Sequence, residues 1–263
     1  MATFLFDKIV YGPIHSRRLG ISLGLNISPP DGKRCSFNCI YCQCGLNEQR
    51  HANQPAPSRA NVRRALEKKL SDMKAEGALP DVITFSGNGE PTMHPDFADI
   101  VDDVIALRDR LCPEAKVAVL TNSTMLFKEE VFQALCKVDE NLMKFDAATD
   151  MLIEQINQPE LHDFTVEKLI AQLCRFQGKL IIQTLFVQGE HNGAPVDNTS
   201  DKNVALWIEA LKKIKPAKVM IYPIHRETPV KTLQVVQAET LKKIAEKVRQ
   251  AGLFCFDSSH DPK

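Results

Sequence analysis

The stretch DVITFSGNGEPTMHPDFADIVDDVIALRDRL, residues 81–111, shows the building unit of the chain. It opens on DVITFSG (81–87), a compact apolar run of strand length that ends in glycine. A turn containing Gly and Pro follows. FADIVDDVIALRDRL (97–111) then repeats its apolar residues at helical spacing. The same strand–helix unit recurs on both sides. ISLGLNIS (21–28) reads as a strand, and NVRRALEKKLSDMKAEG (61–77) as a helix with Val62, Leu66, Leu70 and Met73 on one side. KVAVLTNS (116–123) precedes the helix KEEVFQAL (128–135), and NLMKFDA (141–147) precedes TVEKLIAQLCRFQ (165–177). KLIIQTLFV (179–187) with KNVALWIEALKKI (202–214), and KVMIYPI (218–224) with AETLKKIAEKVRQAG (238–252), complete six units before a short apolar run, LFCF.

Strands alternating with helices imply a parallel sheet covered by helices. The right-handed crossover curls such units in one sense. Six units are fewer than the eight of a closed barrel. The expected fold is therefore α/β, a partial open (β/α)6 barrel, with its chemistry in the loops after the strand C-termini. One domain over 1–263 is expected, with an N-terminal extension at 1–19 and a core at about 20–256. HANQPAPSR (51–59) and QGEHNGAPVDNTSD (188–201) read as long loops.

Composition narrows the function. Of 263 residues, 44% are apolar and 25% charged, as in ordinary globular proteins. Thirty-three basic residues balance thirty-three acidic ones, so there is no bulk attraction for nucleic acid or an anionic membrane. Asp7 and Lys8 interrupt the apolar start, which argues against a signal peptide. No run reaches the roughly 18 apolar residues of a membrane span. A cytoplasmic location is expected, where thiols stay reduced. The eight cysteines then read as metal or redox chemistry before disulfides.

Four of the eight lie in RCSFNCIYCQC (34–44): Cys35, Cys39, Cys42 and Cys44. Iron–sulfur clusters are held by cysteine thiolates, commonly four, and three protein ligands leave one iron open. The alternative is structural zinc, which usually adds a second Cys or His pair further on. Here Cys112, Cys136, Cys174 and Cys255 stand alone and read as buried apolar residues. Cys44 has two readings: a fourth ligand that closes the site, or a spectator.

The spacing Cys35-x3-Cys39-x2-Cys42, with Tyr41 before the third cysteine, resembles the signature of the radical S-adenosylmethionine (SAM) superfamily. The resemblance implies a [4Fe–4S] cluster on Cys35, Cys39 and Cys42, with its open iron chelating SAM. It further implies reductive cleavage of SAM to a 5′-deoxyadenosyl radical that takes hydrogen from a substrate. FSGNGEPTMHP (85–95) resembles the superfamily's Gly-Gly-Glu-Pro motif, with Asn88 in place of the first glycine. Gly87, Asn88, Gly89 and Glu90 are thus expected at the cofactor; read from the residues alone, they form a strand-to-helix turn. Asn122, Asp146 and Gln183, on the third, fourth and fifth strands, join them as expected cofactor contacts. Helix capping explains an Asn or Asp there almost as well.

YGPIHSRRLGISLGLNISPPDGKRCSFNCIYCQCG (11–45) resembles a single-cluster group with a Gly-Pro-x-x-Ser-Arg-Arg-Leu-Gly motif, often labelled as related to the wybutosine tRNA synthase. KFDAATDMLIEQINQP and VMIYPIHRETP resemble it too. No cysteine precedes Cys35, so the second cluster of that synthase has no upstream ligands here. Arg17 and Arg18 could grip a carboxylate or phosphate through their planar forks. With His225, which ends the sixth strand, they are the expected catalytic or substrate-holding residues. His191 falls in a loop suited to a lid, and His94 is a cap for the next helix. The expected partners are a reduced flavodoxin or ferredoxin and a small-molecule substrate. A tRNA or protein substrate, a glycyl-radical-enzyme activase, and a non-enzymatic iron–sulfur or zinc protein are the alternatives.

Overall fold

The structure is a computed structural model and describes residues 4–16 and 20–257. Strands β1 (Val10–Ser16) and β2 (Gly20–Leu25) form an antiparallel hairpin. Units of strand and helix follow: α1 (Arg59–Ala75), β3 (Val82–Phe85), α2 (Phe97–Leu111), β4 (Lys116–Thr121), α3 (Glu129–Lys137) and β5 (Glu140–Lys144). Then come α4 (Asp150–Ile156), α5 (Val166–Cys174), β6 (Ile181–Leu185), β7 (Val187–His191) and β8 (Ala194–Asp197). The chain closes with α6 (Asp201–Ile214), β9 (Lys218–Tyr222), β10 (Leu233–Val235), α7 (Ala238–Gln250) and β11 (Cys255–Asp257).

The main sheet has the order β1-β2-β3-β4-β5-β6-β9-β11. Every pairing from β2 to β11 is parallel. The expected six strands are therefore present, and the final apolar run adds a seventh parallel one as β11. Two features differ from expectation. Residues 188–201 are not simply a loop: β7 and β8 form a hairpin, and β10 pairs with β7 to make a second, three-stranded sheet. Residues 150–156 form α4, begun by the Thr149 side chain, which accepts from the Leu152 N–H.

Local chemistry sets several boundaries. The side chains of Ser58, Thr165 and Ser200 cap α1, α5 and α6 in the same way, each satisfying an otherwise unpaired N–H. Helix α1 buries the foreseen stripe of Val62, Leu66, Leu70 and Met73. Each such side chain is worth about 1.5–3 kcal/mol of burial.

Strand alternation divides the sheet between two apolar faces. Leu23, Ile83, Phe85, Val117, Val119, Met143, Ile182 and Val219 join the large core under the helices. Val82, Ala118, Leu142 and Met220 form a separate inner cluster, with Leu120, Ile181 and Phe256 against it. This inner layer plugs the lumen. One alternation further along, toward the strand C-termini, stand Lys144 and Gln183, so the lumen turns polar there. The curl is visible in one long bond: Arg226, after β9, donates to Gln43 in the loop after β2 at 2.9 Å. Those strands are five places apart in the flat order of the sheet, with four strands, β3 to β6, between them.

Candidate cluster and cofactor site

The cysteine loop follows β2 and is sewn to both neighbours by backbone bonds. On one side Arg34 N–H donates to Asn88 O at 3.0 Å, and Glu90 N–H donates to Arg34 O at 2.9 Å. On the other, Asn38 N–H donates to Asn157 O at 2.8 Å, Ile40 N–H to Ile156 O at 3.0 Å, and Glu160 N–H to Ser36 O at 2.8 Å. Phe37 and Ile40 are buried plugs between the cysteines. Within the loop, Cys42 N–H donates to Cys39 O and Gly45 N–H to Cys42 O, which winds the thiols into one compact turn.

Two amides aim at the sulfurs. Asn157 Nδ2 donates to Cys39 Sγ at 3.2 Å, and Asn122 Nδ2 to Cys35 Sγ at 3.7 Å. Burial pushes the Cys35 and Cys39 thiols up. Cys42 moves the other way, because the Cys44 thiol hydrogen-bonds to it and Lys33 lies near. Cys44 itself is pushed up by that bond, is buried, and also donates to Gly87 O at 3.4 Å. Cys44 is thus the donor of the Cys42–Cys44 pair.

Among the described residues, no three Cys, His, Asp or Glu side chains are gathered as one bare ion requires. A cluster of several irons spreads its thiolates wider, since each binds a different iron. The donor set, three sulfurs in one loop with amides behind two of them, fits that larger body.

The expected cofactor residues divide into two groups. Gly87 and Gly89 allow close approach: a Cβ on Gly89 would lie 1.9 Å from Arg34 O, and one on Gly87 2.3 Å from Asn26 Oδ1. Both have positive φ, at +150° and +141°. Asn88 is fully buried, and its side chain is used by the protein itself. It donates to Phe6 O and Pro29 O and accepts from Phe6 N–H, so it anchors the N-terminal segment. Glu90 is likewise engaged, accepting from Thr92 N and Oγ1, Thr121 Oγ1 and Asn122 N. Burial raises its pKa, opposed by those bonds. It fixes the end of β4, and so the place of Asn122, which also donates to Ser36 Oγ at 2.9 Å.

Asp146 is buried at the end of β5. It accepts from Leu185 N–H at 3.0 Å, Asn157 Nδ2 at 2.8 Å and the Tyr41 hydroxyl. Lys144 donates to the Tyr41 oxygen at 2.8 Å and lies 3.7 Å from Asp146. Burial would lower the Lys144 pKa, but Asp146, Tyr222 and the Cys39 and Cys42 thiols raise it above the ordinary value. The charged form of the lysine is thus favoured at the top of the lumen. Gln183 is its register partner on β6. Gln183 is 4% exposed, and its Nε2 has no hydrogen-bond partner among the described residues. A buried unpaired amide costs about 1–3 kcal/mol, which a polar ligand within reach of Gln183 would recover.

His225 is exposed on the rim, beside Arg226. His191, at the hairpin tip, meets Gln158 at 3.1 Å. His94 accepts from Asp96 N–H at 3.0 Å and meets Pro57 O at 2.9 Å, the expected helix-start role. Arg17 and Arg18 lie outside the described residues. Of the four lone cysteines, Cys112 and Cys255 are buried as expected, whereas Cys136 is exposed and Cys174 half-buried. Lys33, Lys144 and Asn157 were not foreseen. Lys144 had a signal, standing two residues beyond the lumen-facing Leu142; Asn157 had none, since 118 residues separate it from Cys39.

The family model described as the Radical SAM superfamily matches residues 30–169. The chain is 30% identical over 270 aligned positions to UPF0026 protein slr1464 of Synechocystis, covering 92% of each. The fold is similar to that of a radical SAM methyltransferase from Sphaerobacter thermophilus: TM-score 0.66 at 16% identity, over 90% of this chain and 66% of that one. It is also similar to TYW1 with a lysine–pyruvate adduct bound: TM-score 0.61 at 13% identity, over 87% and 73%. Motif, sheet and relatives thus agree at separate levels, and the chain belongs to the radical SAM superfamily, with a [4Fe–4S] cluster and SAM as its cofactors.

Proposed function

We propose that this radical SAM enzyme carries one cluster, on Cys35, Cys39 and Cys42, and takes a hydrogen atom from a small carboxylate-bearing molecule in the barrel mouth. Cluster and SAM together supply reductive cleavage and hydrogen-atom abstraction when bound, and the chain supplies orientation and exclusion of water. Asn122 and Asn157 orient the thiolates of Cys35 and Cys39. Asp146 fixes Tyr41 and Asn157 beneath them. A reduced flavodoxin or ferredoxin is the proposed electron donor.

The observation that carries the reading is the pair Lys144 and Gln183. A lysine ammonium beside an unpartnered buried amide N–H suits a carboxylate, the acceptor that both can serve. The β7–β8 hairpin brings its tip residue His191 to Gln158, next to the cysteine loop, and we read it as a wall of the mouth that favours a small substrate over a macromolecule.

Anaerobic reconstitution tests the cluster. Cys35→Ser, Cys39→Ser and Cys42→Ser should each lose it, while Cys44→Ser should keep roughly the wild-type content of about four irons per chain. Loss of the cluster in Cys44→Ser would make that thiol a fourth ligand and close the site. The reduced wild type should then release 5′-deoxyadenosine from SAM, faster with small carboxylic acids than with tRNA or protein fractions. A cluster-loaded, reduced protein that releases none with any fraction sinks the reading.

A further inference from the structure

Lys33 is 7% exposed, an uncommon place for a lysine. Its ammonium donates to the Gly45 carbonyl at 2.9 Å, spanning the cysteine loop from its entrance to its exit. Its own N–H donates to Arg50 O at 2.7 Å, so backbone and side chain are both fixed. The bridge runs across the segment that carries Cys35, Cys39, Cys42 and Cys44, which begins two residues after Lys33 and ends one before Gly45. A buried ammonium is therefore tied to the same loop as the four thiols.

We infer that Lys33 is a fixed positive charge that raises the reduction potential of the cluster held by Cys35, Cys39 and Cys42. The step concerned is transfer of one electron from a low-potential one-electron donor to the oxidised cluster; no bond is made or broken and no proton moves. The added negative charge lies beside the ammonium. Coulomb attraction favours the reduced state, and the buried loop leaves little solvent to screen it. Groups just beyond the ligands are an established means of tuning such clusters. Bridging to Gly45 O needs only a hydrogen-bond donor, so a purely structural role and an electrostatic one separate cleanly.

The test is an EPR-monitored redox titration of the reconstituted full-length protein without SAM. Wild type is compared with Lys33→Gln, which keeps a donor, Lys33→Met, which removes it, and Lys33→Arg, which keeps the charge. The neutral variants that hold a cluster should shift at least tenfold toward the oxidised form, about 59 mV lower for a one-electron couple. Lys33→Arg should stay near wild type. Unchanged midpoints in the neutral variants, or an equal fall in all three, overturn the inference. So does failure of both neutral variants to fold or to hold a cluster, since Lys33 would then be an assembly element. The iron and sulfide content of the wild type checks the cluster itself separately.

Discussion

Gly89 shows how much one missing Cβ can decide. Its backbone lies against Arg34, and the two exchange a bridge that fixes the entrance of the cysteine loop. A methyl group there would sit 1.9 Å from a carbonyl oxygen, at a φ of +141° that L side chains avoid. Gly89→Ala should therefore cost roughly 2–4 kcal/mol and loosen the loop. Urea unfolding of the cluster-free protein reads the first effect, and iron content after reconstitution the second. A variant of wild-type stability and full iron would show that the loop can yield. The need for glycine here was legible in the sequence. The roles of Asn88 and Glu90 were not, because the same motif serves a ligand or the protein's own backbone, and only burial and partners decide between them.

At the scale of elements, α1 and α2 are clamped by Asp103. It accepts from Arg59 at 2.7 and 3.1 Å and from Arg63 at 2.8 Å. The Arg59 bond leads in holding the carboxyl below its ordinary value. A depressed carboxylate contributes stability above its unfolded pKa of about 3.9 and loses it as pH falls through the lower folded value. With both arginines half-exposed, Asp103→Asn should cost only about 1 kcal/mol at neutral pH. The gap between variant and wild type should close as pH drops below about 4. Urea unfolding across pH checks this, and a gap independent of pH would assign the cost to packing. The helices other than α4 were legible from periodicity. The β7–β8 hairpin was not, although its signal was present: Asn192-Gly193 links His191 to Ala194, with φ of +51° and +75°. Asn-Gly is the favoured two-residue turn for this link. The stretch reads as a loop because its flanking residues are polar and it buries little.

The molecule as a whole is held in its curl partly by a contact across the open side of the sheet. Arg226 reaches Gln43 at 2.9 Å and lies over the Phe4 ring at 5.6 Å. Phe4 N–H in turn donates to Gln43 O at 3.2 Å. Exposed contacts of this kind are worth about 0.5–1 kcal/mol. Arg226→Ala should then speed amide exchange over residues 42–46 roughly two- to fivefold, leaving β4 and β5 unchanged. Hydrogen-exchange mass spectrometry reads both regions, and equal protection at 42–46 would show the contact to be idle. No helix among the described residues is long and apolar enough to cross a membrane.

The sequence by itself determined the parallel strands, their helices and the place of the three-thiol loop, because those depend on periodicity and spacing that neighbours in the chain carry. Only the tertiary structure decided which polar groups serve the site. Asn157 reaches Cys39 across 118 residues, and Lys144 and Gln183 become neighbours only through the register of β5 on β6. Lys33 reads as an ordinary loop lysine until the fold closes the loop over it. Local pattern fixes which way a side chain can point; what it meets there depends on how a sheet of separate strands curls.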